Sequence, residues 1–125
     1  MEKFVNDMLQ YLKNGSKSSL LEPAEQKIGS EMLREILIDV VNWLRLEYKR
    51  VNIWGRKSIP SKPLKLNENY PWCKGLIHLV QEDEGFSKYF IVENNGFYYS
   101  SDVDEETRNK ARQIVFEKYK QFRMS

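Results

Sequence analysis

His78 and Cys73 are the side chains here best suited to proton or acyl transfer, and each type occurs once. An imidazole acts as a general base when a nucleophile or a substrate proton lies within hydrogen-bond reach. A thiol gains nucleophilic character beside a cation, and Lys74 follows Cys73 directly. The run Leu76-Ile77-His78-Leu79-Val80 reads as a strand over residues 75–81, with His78 on the face opposite Ile77 and Leu79. Cys73 then falls in the preceding loop, which separates the would-be pair. The simpler reading is a small apolar side chain beside Trp72 and a half-exposed histidine. No catalytic residue is expected, and the chain is read as a non-enzyme.

One histidine and one cysteine fall short of a tetrahedral zinc set. Glu82-Asp83-Glu84-Gly85 lacks the ligand spacing of a calcium loop and reads as a solvated hairpin turn over residues 82–87. Asp104-Glu105-Glu106 fit a helix N-terminus, where negative charge is favourable. The six glycines are isolated, so no phosphate-cradling loop is formed. No metal and no cofactor are expected.

Binding chemistry is better represented. Residues 54–74 mix Trp54, Tyr70 and Trp72 with Arg56, Lys57, Lys62, Lys65 and Lys74. Aromatic faces beside cations suit stacking on a base with phosphate neutralisation. They equally suit a protein interface, where Trp, Tyr and Arg dominate the energetics. The plainer alternative is that the tryptophans are core residues and the cations solubilise a loop. The candidate binding residues are Trp54, Arg56, Lys57, Tyr70, Trp72 and Lys74. A secondary candidate is the pair Arg108 and Arg112, one helical turn apart. It could clamp a phosphate or carboxylate, and the favoured reading is pairing with Glu105 and Glu106.

Charge is arranged in blocks. Residues 45–74 carry eight basic side chains against Glu47 and Glu68, and residues 82–106 carry eight acids against Lys88. Residues 107–125 carry six basic side chains against Glu117. Such blocks can steer a charged partner, or interleave in space and cancel.

The elements that must position these groups follow from periodicity. Phe4, Val5, Met8, Leu9 and Leu12 predict a short helix over 3–13, closed by Asn14-Gly15. Residues 14–23 read as a flexible stretch, with Pro23 able to open a helix. A long helix is expected over 30–50, starting as early as residue 23. Its apolar arc is wide enough to predict a homodimer or higher oligomer, with Ile38, Val41 and Leu46 as contact residues. Alternation at 51–54 suggests extended chain, 55–74 a basic loop with a brief strand at 64–66, and 88–93 a strand. Asn95-Gly96 is read as the two central residues of a hairpin turn. Phe90, Val92, Phe97 and Tyr99 then share the core face of the sheet. A last helix begins near Asp102, with Asp102 and Asp104 as rival caps. The expected fold is α+β in one domain, 1–125. It has two N-terminal helices, one of them long, an antiparallel meander of three to five strands, and a C-terminal helix on one sheet face.

With 125 residues, 41% hydrophobic and 13% aromatic, the chain can build a core without staples. A single cysteine excludes an internal disulfide and fits a reducing compartment. The opening Met1-Glu2-Lys3-Phe4 begins an amphipathic pattern rather than a signal peptide, and no apolar run would span a bilayer. The expectation is a cytoplasmic binding protein that occludes or sequesters a protein partner, as inhibitor, immunity and accessory proteins do. The alternative is a nucleotide or nucleic-acid binder using the 54–74 surface.

Overall fold

The helical spacing of Phe4, Val5, Met8, Leu9 and Leu12 folds Glu2–Asn14 into α1 with all five side chains buried. A computed structural model describes residues 1–15, 18–53 and 62–119. Gly15 leaves α1 in the left-handed region, φ 70°, and its N–H donates to the Tyr11 carbonyl. Ahead of the next helix Leu21 is fully buried, and its N–H donates to Ser18 Oγ and the Ser18 carbonyl.

Pro23 sits in the first turn of α2, Glu22–Ile28, and α3 runs Ser30–Tyr48. Gly29 separates the two, with φ 86° and ψ 158°, a conformation that an L side chain rarely adopts. Leu33, Ile36, Leu37, Val40, Val41 and Leu44 of α3 are all buried. The chain itself supplies the cover, since α1, α2, α4 (Pro71–Glu82) and α6 (Glu105–Lys118) all pack on α3. Val41 is therefore core rather than a subunit contact. After α3 the chain continues as a π-helical turn, Lys49–Ile53, where alternation had suggested extended chain.

Three short strands form an antiparallel sheet in the order β1-β3-β2: β1 is Leu64–Lys65, β2 Phe90–Glu93 and β3 Gly96–Tyr99. With helices at both ends of the chain, the architecture is α+β. The turn joining β2 to β3 lies one residue earlier than the sequence suggests. Asn94 and Asn95 carry φ of 50° and 60°, and Glu93 faces Gly96. Each pairing moves by one residue on both strands, so the side-chain faces are unchanged. Phe90 lies opposite Tyr99 and Val92 opposite Phe97, with Phe90, Phe97 and Tyr99 buried on the inner face.

The expected strand at 75–81 is helix α4. Pro71 stands in its first turn, and Cys73, Leu76, Leu79 and Val80 face the core at helical spacing. Gly75 serves close packing: a Cβ there would lie 3.2 Å from Ile36 Cδ1 and from Met32 Cγ of α3. The expected turn at 82–87 is helix α5, Glu84–Tyr89. Asp83 is its N-cap, accepting from the N–H groups of Gly85 and Phe86 at 3.1 and 3.2 Å. It is buried rather than solvated, and Lys27 of α2 approaches it at 3.4 Å. For α6 the cap is Asp104, whose Oδ1 accepts from Thr107 N–H at 2.7 Å, and not Asp102. The capping bond holds the Asp104 carboxyl below its ordinary range.

Candidate functional site: the β1–α4 surface and the arginine cluster on α6

The backbone between β1 and α4 is held by local hydrogen bonds, among them Tyr70 N–H to the Asn67 carbonyl, 3.0 Å. Leu66 N–H donates to the Asn95 carbonyl at the hairpin tip, 2.7 Å. Asn69 N–H donates to Asn67 Oδ1, 2.9 Å, closing an Asx turn. Asn67 N–H donates to Cys73 Sγ, 3.3 Å. Lys65, Asn67, Asn69 and Asn95 thereby line an open polar recess. Tyr70 caps the next element, α4, and is 55% exposed, the most exposed large hydrophobic residue among those described. Lys74 lies one turn on and is exposed, its N–H donating to the Tyr70 carbonyl. Trp72 is half-buried and packs against the core. Of the sequence candidates, then, Tyr70 and Lys74 are exposed at the start of α4, while Trp72 packs toward the core. Trp54, Arg56 and Lys57 lie outside the described residues.

The catalytic candidates part company. Cys73 is buried while His78 is exposed, although both stand on α4. Five positions along a helix turn the side chain by about 140°, so the pair points apart. Among the described residues no three His, Cys, Asp or Glu side chains are grouped to hold a metal ion. No helix among them is long and apolar enough to cross a membrane.

Arg108 and Arg112 do come together, around Tyr99 of β3. Their guanidinium carbons lie 5.1 and 5.2 Å from its ring centroid. Arg112 is 1% exposed; its Nε donates to the Tyr99 hydroxyl at 3.1 Å and its Nη1 to Glu105 at 2.9 Å. Arg108 reaches Glu105 at 3.9 Å and the Ser100 carbonyl at 3.4 Å. Glu106 pairs instead with Lys110, 3.6 Å. Burial pushes the Tyr99 hydroxyl well above the usual tyrosine range, against the pull of Arg112 and Arg108. Burial alone would lower the Arg112 pKa, but Tyr99 and Glu105 outweigh it and hold the guanidinium above its ordinary value.

Glu47 of α3 is buried and its charge adds to the upward push on Tyr99, and Arg50 of the π-helical turn approaches Glu47 at 3.6 Å. Sequence reasoning missed Glu47 and Arg50, because charged residues on a helix are ordinarily exposed. Three buried guanidinium nitrogens, Arg45 Nε, Arg50 Nη1 and Arg108 Nε, have no acceptor among the described residues.

Leu46 is 48% exposed and Ile38 half-buried, which leaves Leu46 as the accessible member of the proposed subunit contact. Compared with known proteins, the chain matches no family model, no curated protein and no solved structure.

Proposed function

We propose that this chain is a binding protein that covers a surface of a protein partner and catalyses no reaction, acting in the cytoplasm. The exposure of Tyr70 carries the reading. A large aromatic held 55% exposed at the N-cap position of α4, with Lys74 one turn on and a polar recess beside it, has the make-up of an interface anchor and its rim. The lone buried Cys73 suits a reducing compartment. Homodimerisation through Leu46 belongs to the same proposal, and sedimentation of the wild type decides it.

The test compares wild type, Tyr70→Ala with Lys74→Glu, and a Lys3→Glu control by quantitative affinity purification from the host cell. The expected result is loss of one specific protein from the double variant alone, with its thermal midpoint unchanged. An identical set of bound proteins in all three overturns the reading. The exposed Lys62, Lys65 and Lys74 also support a second reading, nucleic-acid binding at this face. Nucleic acid lost from the double variant, with binding that falls steeply as salt rises, would select it over the first.

A further inference from the structure

Strand β2 is one edge of the sheet. Its pairing with β3 fixes which way each backbone group points. Phe90 stands opposite Tyr99 and Glu93 opposite Gly96, and Ser100 N–H donates to the Tyr89 carbonyl at 2.8 Å. Residues of an antiparallel strand alternate in facing their partner, so Tyr89, Ile91 and Glu93 turn their amides toward β3. Phe90 and Val92 turn theirs outward.

The Phe90 N–H is taken by the Phe86 carbonyl of α5. The Phe90 carbonyl and both backbone groups of Val92 have no partner among the described residues. Helix α4 packs on β2 as well, but no hydrogen bond joins it to Val92. Buried backbone groups are nearly always paired, so these unpaired ones mark an edge open to water. The side chains agree: Ile91 is 38% exposed and Glu93 is exposed. The opposite edge is guarded instead. There β1 has two residues, Pro63 ahead of it has no N–H, and Lys65 is exposed.

We propose that the β2 edge receives an extended peptide segment of a protein partner as an antiparallel fourth strand, with a basic side chain opposite Glu93 and an apolar one opposite Ile91. An antiparallel strand lets one partner residue exchange two bonds with Val92, and a third falls to the Phe90 carbonyl. Charge sets the chemistry of the segment. Glu93 is exposed and has no cation partner among the described residues, so a lysine or arginine across from it is favoured and an acid repelled. Ile91, with half-buried Tyr98 opposite it on β3, supplies the apolar contact. In an antiparallel segment the basic residue precedes the apolar one by two positions. The proposal involves other residues than the Tyr70 surface and stands independently of it.

The experiment follows the backbone amides of the full chain by NMR. In the free protein the Val92 amide should exchange with solvent faster than those of Ile91 and Glu93. The probe is a synthetic peptide, acetyl-Thr-Lys-Val-Val-Thr amide, with a counterpart carrying glutamate in place of lysine. The lysine peptide should give saturable shifts along Phe90–Glu93 and slow the Val92 exchange. It should bind about threefold or more tighter than the glutamate peptide, and Glu93→Lys should reverse that order. A Val92 amide already protected in the free chain overturns the proposal, as does a failure to saturate at millimolar peptide or one peptide order shared by both proteins. A dilution series without peptide that moves the same amides assigns the edge to a second copy of the chain, and also overturns it. If Glu93→Lys does not fold, the two peptides on wild type decide: equal affinity counts against the pairing.

Discussion

The ring of Tyr98 lies over Gly96, two residues back on the same strand. A Cβ on Gly96 would sit 2.9 Å from Tyr98 Cε2 and 3.1 Å from its hydroxyl oxygen. Gly96 therefore faces steric exclusion from a neighbouring ring rather than a demand for left-handed backbone, which falls on Asn94 and Asn95. On the outer sheet face the ring covers the bare backbone that the glycine leaves.

Gly96→Val is expected to destabilise the fold by about 1–3 kcal/mol through overpacking. Asn95→Gly should be neutral or stabilising by up to about 1 kcal/mol, since its φ of 60° suits glycine. Urea denaturation measures both. A double-mutant cycle with Tyr98→Ala separates the causes: the cost of Gly96→Ala should shrink once the ring is gone. An unchanged cost in that background would mean that the ring is not what excludes the side chain.

Asp83 ends α4 and caps α5, and Lys27 ties it to α2. Asp83→Ala should cost about 1–2 kcal/mol from the lost cap. Asp83→Asn keeps an acceptor for the Gly85 and Phe86 N–H groups and should recover part of that loss. If alanine and asparagine unfold at the same denaturant concentration as wild type, the cap contributes nothing to stability.

Alkaline pH should weaken the fold through Tyr11. Its hydroxyl donates to Glu25 Oε2 at 2.7 Å, and burial together with that bond pushes its pKa up to about 12. The folded state thus holds the proton more tightly than the unfolded chain, where tyrosine titrates near 10. The stabilisation is fully present below about pH 10 and is lost as pH rises from there toward 12. Absorbance at the tyrosinate band should show a step near 12 that vanishes in Tyr11→Phe. A wild-type spectrum fully titrated by pH 11 would rule this out.

Sequence periodicity was a sound guide where one face of an element is apolar and the other polar, as in α1, α3 and the β2–β3 hairpin. The hairpin faces were legible even with the turn misplaced, because moving both partners by one preserves their parity. It failed for α4, where Leu76-Ile77-His78-Leu79-Val80 satisfies a short buried strand as well as a helix. The deciding signals were Pro71 in the first turn and the Cys73–Leu76–Leu79 spacing, while Gly75, taken as a boundary, is a contact point with α3. Tyr70 and Lys74 could be named from composition. The burial of Arg112 could not, because it depends on β3 presenting Tyr99 to α6, a long-range pairing that no local pattern encodes.

The bond between Asn52 and Asn109 joins residues 57 positions apart, so everything between them is one long excursion closed at a narrow neck. The entropy of closing such a loop grows only with the logarithm of its length, about 0.6 kcal/mol for each doubling. The Trp43 Nε1–H donates to the Lys62 carbonyl at 2.8 Å, a second tie that holds Lys62 to α3 within the same excursion.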